Sequence, residues 1–285
     1  MSEETFDDVA ASLLALDAER QVGNNPTSWA DEPKKEKIGP QMAFWPEDVS
    51  AMPTELTRTA LFRLIRRGRR RLMDDEKLDS RIDVEVLFSG EELDQADADL
   101  WLACLRLGRG VPVGQRIYTI RAAMLKEIKR TDTGSNRAWL TASLDRLKKA
   151  SLKCTMRRDG KTTVISTRML DWGLIEETGQ MFVRLDPGGF NLFENLAYFD
   201  WKKRLALKLD ATKALQIYAC GHQKGKPHSV RLSDLAAWAG YRGRTRQFRR
   251  ECVIPALAEL EAVGFLKNGK VATGPKGEIV SWVRT

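Results

Sequence analysis

The side chains able to do covalent or metal chemistry are few in this sequence, and poorly spaced for it. There are two histidines, His222 and His228, and four cysteines, Cys104, Cys154, Cys220 and Cys252. A structural zinc needs four N or S ligands at short, characteristic spacings. Cys220-x-His222-x5-His228 is not such a spacing, and no fourth ligand is apparent. The cysteines lie far apart with no CxxC, which fits reduced thiols in a cytosol better than a disulfide framework. Gly221 to Gly225 followed by Lys226 lacks the Walker A pattern, so no nucleotide cradle is implied. Glu91, Glu92, Asp97 and Asp99 sit beside a helix start, where carboxylates read as partners of the helix dipole rather than as acids or metal ligands. No cofactor, no metal and no catalytic step is expected.

A different chemistry is better represented, the recognition of DNA by arginine, lysine and small polar side chains. Ser135, Asn136, Arg137 and Thr141 fall at the start of one candidate second helix. Arg242, Arg244, Thr245, Arg246, Arg249 and Arg250 fall in the turn and at the start of another. In a helix-turn-helix these positions reach base edges in the major groove. The arginine fork can donate two hydrogen bonds to guanine. Arg and Lys also neutralise phosphates, which fixes position and makes binding salt-dependent. Arg157, Arg158, Lys161, Lys267, Lys270 and Lys276 occupy two candidate hairpins and are placed for phosphate or minor-groove contact. Any one of them reads equally well as solvated surface charge; as a cluster they favour contact. The second group holds more arginine and is expected to dominate specific binding.

The charge distribution agrees. The 285 residues carry a net +8, but residues 1–50 hold 4 basic and 11 acidic side chains, a net −7. Residues 51–285 hold 43 and 28, a net +15, and residues 199–285 alone hold 17 and 7, a net +10. An acidic leader before a basic body is a common layout in nucleic-acid-binding chains. The acidic N-terminus lacks an apolar signal region, and no apolar run approaches a membrane span. A cytoplasmic protein with no membrane partner is expected.

The elements that must position these side chains follow from periodicity. Phe6 to Arg20 predicts one helix, and Asn24 to Pro40 reads as a linker. Pro53-Thr54 opens a predicted helix with Leu56, Ala60, Leu61 and Leu64 on one face, ending in the basic run from Arg66 to Arg71. A strand is predicted over Arg81 to Phe88, a buried helix over Asp97 to Arg106, and a short strand over Arg116 to Ile120. A short helix (Arg121 to Arg130), a polar turn, a longer helix (Ser135 to Ala150) and a basic hairpin (Leu152 to Arg168) come next. That is the order of a winged helix, a helix-turn-helix with a β-wing. The same order recurs about 112 residues later. Val230 to Leu232 is the strand, Ser233 to Gly240 the short helix, and Thr245 to Val263 the long helix. The second wing runs from Phe265 to Arg284. Pro255 removes a backbone donor from the long helix and should bend or restart it. The expected fold class is α+β: two tandem winged-helix domains, 51–190 and 191–285, after an acidic, largely flexible segment, 1–50. Leu185 to Trp201, with Pro187-Gly188-Gly189, is the expected linker. The competing reading is two ordinary helical hairpins in a mixed core.

Three stretches carry a family resemblance. They are Ala51 to Phe62 (AMPTELTRTALF), Phe88 to Leu93 (FSGEEL) leading to Asp97-Ala98-Asp99 and Leu100-Trp101, and Gly108 to Tyr118 (GRGVPVGQRIY). Together they resemble the TrfA family of plasmid replication initiators, from about residue 40 to the C-terminus. The resemblance implies two winged-helix domains on direct repeats, called iterons, in duplex origin DNA. It further implies opening of the adjacent AT-rich DNA, with single-stranded origin DNA as a further ligand. The implied partners are the host sliding clamp, replicative helicase and initiator proteins, with a monomer–dimer equilibrium. Gln41-Met42-Ala43-Phe44-Trp45 is similar to the peptide by which replication proteins dock on the clamp, with Phe-Trp where Leu-Phe is expected. In that role Met42, Phe44 and Trp45 enter an apolar pocket and Gln41 bonds at its rim. The alternative is that Phe44 and Trp45 pack against the first domain. The rival function is a winged-helix transcriptional repressor, which has no use for a clamp peptide. A replication or recombination enzyme is disfavoured by the missing metal and nucleotide motifs.

Overall fold

The computed structural model describes residues 39–65, 70–158, 160–275 and 277–285. The helix expected over Phe6 to Arg20, and Lys276, lie outside the described residues.

The chain opens with β1 (Val49–Pro53), a 3-10 turn (Thr54–Leu56), β2 (Phe62–Arg63), β3 (Leu72–Leu78), β4 (Val84–Glu91) and β5 (Leu93–Asp94). Then come α1 (Gln95–Leu107), β6 (Ile117–Ile120), α2 (Arg121–Glu127), α3 (Gly134–Lys149), β7 (Ser151–Arg158) and β8 (Lys161–Arg168). Strands β9 (Asp171–Leu174) and β10 (Gln180–Arg184), a 3-10 segment (Pro187–Glu194), β11 (Leu196–Asp200), α4 (Trp201–Ala206) and α5 (Asp210–Cys220) follow. The remainder is β12 (Pro227–Arg231), α6 (Leu232–Trp238), α7 (Thr245–Phe248), a π turn (Arg249–Val253), α8 (Ile254–Ala262), β13 (Leu266–Gly274) and β14 (Gly277–Arg284).

Helix α1 is the axle of the molecule. Asp94 caps it through a capping box with Asp97, which satisfies donors that the first turn leaves free. Leu100, Trp101, Leu102, Cys104 and Leu105 are all buried, so the helix is apolar around its circumference, as a core helix must be. In α3, Leu140, Leu144 and Leu147 point inward at the expected spacing. Thr133 caps its start by accepting from the Asn136 amide at 3.4 Å.

The strand–helix–turn–helix–hairpin order occurs twice, but the two sheets are connected differently. In the second unit β12, β14 and β13 form one sheet, so the hairpin pairs with the strand before its own first helix. In the first unit β6 pairs with β10 instead, and the β7–β8 hairpin joins β3 and β4 in a four-stranded sheet. The predicted long helix is present as α7, the π turn and α8. The wider turn comes directly before Pro255, whose ring crowds the preceding turn and whose nitrogen carries no proton.

Four expectations are corrected. No helix runs through Leu56 to Leu64. The Thr57 and Thr59 hydroxyls bond back to the carbonyls of Thr54 and Leu56, each at 2.8 Å, and the chain turns into β2, which pairs with β5. Strand β3 was not anticipated, because only Met73 and Leu78 of its side chains are buried and no alternation is visible. The segment before residue 51 is not free throughout: residues 39–48 lie on the first unit, with the Gly39 amide on Val113 oxygen at 2.7 Å and the Met42 amide on Val111 oxygen at 3.0 Å. Nor is Leu185 to Trp201 a loose linker. β11 pairs antiparallel with β1, and the Trp201 amide bonds Asp48 oxygen at 2.8 Å.

The two halves are therefore stitched together. Arg204, fully buried, donates to Asp99 at 2.7 Å, to Gln95 at 3.0 Å and to Lys213 oxygen at 2.7 Å. On the other side of α1, the Leu64 amide bonds Ala239 oxygen at 2.9 Å.

Candidate nucleic-acid interface

The second unit presents the less encumbered arginines. Arg244, Thr245 and Arg246 are exposed where the turn enters α7, and neither arginine has an ion-pair partner among the described residues. The other arginines of that group are engaged. Arg242 pairs with the buried Glu92, Arg249 with Glu278 at 2.9 Å, and Arg250 with its neighbour Glu251 at 2.6 Å. Arg249 thus ties the long helix to β14. Lys267 and Lys270 are exposed on β13.

The first unit is less free than its sequence suggests. Asn136 donates its amide to Thr131 oxygen at 2.8 Å and accepts from Arg130 at 3.3 Å. Arg137 makes a two-pronged pair with Asp132 at 2.5 and 2.7 Å, which holds that carboxyl below the usual range. Ser135 is exposed and Thr141 half-buried. At the hairpin, Arg158 is taken by the buried Glu55, whereas Arg157 and Lys161 are exposed. Gly160, between β7 and β8, has the left-handed conformation (φ +71°) that a tight hairpin needs. Two cations escaped the sequence reading. Lys153 and Arg168 share the solvent face of β7 and β8 with Arg157, since Lys153 faces Ser166 and Ser151 faces Arg168. The period-2 alternation of strands was the available signal.

The clamp-like peptide is folded onto its own domain. Met42 and Trp45 are only 3% and 2% exposed, while Phe44 is 75% exposed. Gln41 donates to Gly110 oxygen at 2.6 Å. Two of the four residues assigned to a clamp pocket thus serve the core. Phe44 does not pack inward, which also corrects the alternative in which it and Trp45 do so together.

Three of the carboxylates singled out in the sequence, Glu92, Asp97 and Asp99, hold arginines. Asp97 is fully buried; burial alone would raise its pKa, but Arg146 at 2.7 Å and Arg70 at 2.9 Å outweigh it and hold the carboxyl below its ordinary range. Asp99 binds Arg204 and Lys213. Burial pushes the thiols of Cys104, Cys154 and Cys220 up to about 12, so they remain protonated. Among the described residues no group of three or more His, Cys, Asp and Glu could hold a metal.

His222 and His228 instead stack in an aromatic cluster with Tyr218 and Trp282, their ring centroids 3.5 Å apart. Burial lowers their pKa values to about 3 and about 4, with the charge of His228 adding to the effect on His222 and that of Arg58 acting on both. The unfolded chain takes up protons near pH 6.5 and the folded chain does not, so this cluster is fully stabilising above pH 6.5 and loses stability as pH falls toward 4. Unfolding free energies from urea titration are expected to drop between pH 7 and pH 5 by about 1 kcal/mol per histidine, allowing for solvent screening of these partly exposed rings. A His222→Gln, His228→Gln chain should show a flatter profile; an unchanged slope would remove the assignment.

Similarity to known proteins now bears on this geometry. Residues 53–186 match the family model described as Replication initiator protein A. This segment is similar to that family over just under half of the chain. The chain is also 25% identical over 243 residues to the Plasmid replication initiator protein TrfA of Escherichia coli, covering 81% of this chain and 61% of TrfA. It therefore spans about three-fifths of that relative's length. Among solved structures, domains 2 and 3 of RctB share its fold in two crystal structures, with TM-scores of 0.53 and 0.50 and identities of 13% and 10%. They cover 81% and 79% of this chain, and 98% and 95% of the RctB chains. The Pi initiator protein in complex with iteron DNA lies lower, at TM-score 0.49 and 11% identity, covering 70% of this chain and 97% of that one. The matched segment ends at Asp186, so it contains the first helix–turn–helix–hairpin unit and stops before the second. The freest arginines lie in that second unit. No helix among the described residues is long and apolar enough to cross a membrane.

Proposed function

We propose that this chain is a plasmid replication initiator in which each strand–helix–turn–helix–hairpin unit works as a winged helix on iteron repeats of duplex origin DNA. The observation that carries the reading is the pair of exposed arginines, Arg244 and Arg246, without an ion-pair partner among the described residues and heading the second unit's long helix. That unit is stitched to the segment similar to replication initiator protein A. A helix so placed reads base edges in the major groove. Arg157, Lys161, Lys267 and Lys270 contact phosphates, fixing register without reading sequence. Opening of the adjacent AT-rich DNA draws its energy from binding and bending the duplex, with no catalytic step of the protein's own. The likeness to TrfA supports this assignment.

Host sliding clamp, replicative helicase and initiator proteins are the partners that go with the role, and the setting is the cytoplasm. Clamp capture has to lift residues 39–42 off the Val111–Val113 turn and free the buried Met42 and Trp45, the latter packed edge-on to Tyr198. The exposed Phe44 is the first point of engagement. The test is replication of a minimal plasmid carrying tandem repeats, with this protein supplied in trans. Replication is expected, and it should be lost in a Gln41→Ala, Phe44→Ala chain that still binds the repeats. Repeat binding by the parent chain without replication from any such origin would sink initiation and favour the repressor.

A further inference from the structure

Where the two halves meet, three guanidinium groups from three separate parts of the chain converge on one carboxylate. Glu92, 1% exposed, faces Arg63 of β2 at 3.6 Å and Arg71, just before β3, at 3.7 Å. The third is Arg242, in the turn that leads to α7. The other Glu92 oxygen accepts the Arg71 amide at 3.1 Å, so the carboxylate is fixed. Arg71 has one more partner, the half-exposed Glu76 at 2.7 Å. Burial, then the charges of Arg242 and Arg71, push the pKa of Arg63 down, against the opposing charges of Asp79 and Glu76.

The three differ in access. Arg63 is nearly buried and supports the turn from beneath; Gly240 sits so close that a Cβ there would lie 2.5 Å from the Arg63 Cγ. Arg71 and Arg242 are 47% and 52% exposed and meet on the same Glu92 oxygen. Arg242 is two residues before Arg244. A duplex whose groove receives Arg244 and Arg246 brings its backbone past this turn, as in other helix-turn-helix complexes.

We propose that Arg71 and Arg242, aligned by the buried Glu92, form a phosphate-binding seat for the DNA backbone at the seam between the two halves. This rests on the DNA-binding reading above and extends it to Arg71, a residue of the matched segment outside either reading head. A phosphate there replaces Glu76 on the outer edge of Arg71 and shares Arg242 with Glu92. Because guanidinium forks bind phosphate through two parallel hydrogen bonds, the seat also fixes the backbone's path between the units.

The experiment measures binding of the full chain to a labelled 30-bp random-sequence duplex (about three helical turns) across a salt series. Arg71→Gln is expected to weaken binding about tenfold at low salt and to reduce the slope of log K against log [salt] by about 0.9. Glu76→Gln removes the competing carboxylate and should tighten binding about twofold. Arg71→Lys, which keeps the charge, should retain the wild-type slope. Unchanged affinity in Arg71→Gln, or a loss with no change of slope, overturns the seat. A wild-type chain that binds no duplex at all overturns the DNA-binding reading itself. Thermal midpoints of the variants are measured alongside, and a loss of binding that tracks unfolding counts against the proposal.

Discussion

Arg204→Met is expected to cost about 3–5 kcal/mol of unfolding free energy, the usual loss when one partner of a buried ion pair is removed. Arg204 is the one arginine of the described residues with no exposed side-chain surface in its ion pair, and each of its three guanidinium nitrogens donates a hydrogen bond. Nε serves Asp99, Nη1 the Lys213 carbonyl, and Nη2 the Gln95 amide oxygen. Methionine fills much of the volume but leaves those three acceptors in a site water does not reach. Asp99 keeps only Lys213. Gln95 keeps its donor bond to Phe62 oxygen at 2.7 Å but loses the bond to its acceptor. Since α1 supplies Asp99 and Gln95 while Arg204 and Lys213 belong to α4 and α5, the damage falls on the joint between the halves. Urea unfolding should therefore lose its single transition as well as its midpoint. Adding Asp99→Asn to the Arg204→Met chain should deepen the loss, because Lys213 then has no carboxylate left in the joint. A change below about 1 kcal/mol in Arg204→Met would show that solvent enters the joint.

That joint was not legible in the sequence, and the reason is physical. Gln95, Asp99, Arg204 and Lys213 are ordinary surface residue types, and only the packing of α5 on α1 puts them out of water. The helices themselves were legible. Leu140, Leu144 and Leu147 follow the helical period, and the structure buries them together. Pro255 announced the break in the long helix because a missing donor has a local effect. What failed was everything decided by pairing partners far along the chain. Ile117–Ile120 reads as the strand of a winged helix by order alone, yet β10, more than fifty residues on, takes it. The short Phe62–Arg63 strand exists because Leu93 and Asp94 lie beside it, not through any local pattern. The same limit applied to the reading heads. Residue type nominated Arg137, Arg158, Arg242 and Arg249 as readily as Arg244 and Arg246. Their carboxylate partners, at Asp132, Glu55, Glu92 and Glu278, became visible only once the chain was folded.

Arg244→Ala together with Arg246→Ala is expected to weaken binding to a repeat-containing duplex about 100-fold or more, at about 1–3 kcal/mol for each side chain that reads a base. These side chains pay no cost to leave an existing ion pair, so what DNA supplies to them appears directly in affinity. Arg249→Ala should lose less binding than Arg246→Ala, and should lower the unfolding midpoint, because its guanidinium already anchors the long helix to Glu278. Arg157→Ala should also lose less than Arg246→Ala, and about equally on any sequence, since a phosphate contact carries no sequence information. The salt series separates the classes. A phosphate contact removed lowers the slope by about 0.9. A base contact removed lowers affinity for the repeat while leaving random-sequence binding nearly unchanged. Equal losses on repeat and random duplexes for the Arg244, Arg246 pair would make them phosphate contacts. Equal losses for Arg157→Ala and Arg246→Ala would sink the claim that the second unit leads in recognition. If the pair behaves as expected, specificity resides in a unit that lies beyond the matched segment, and that segment's own helix α3, with Asn136 and Arg137 already satisfied internally, contributes position more than sequence.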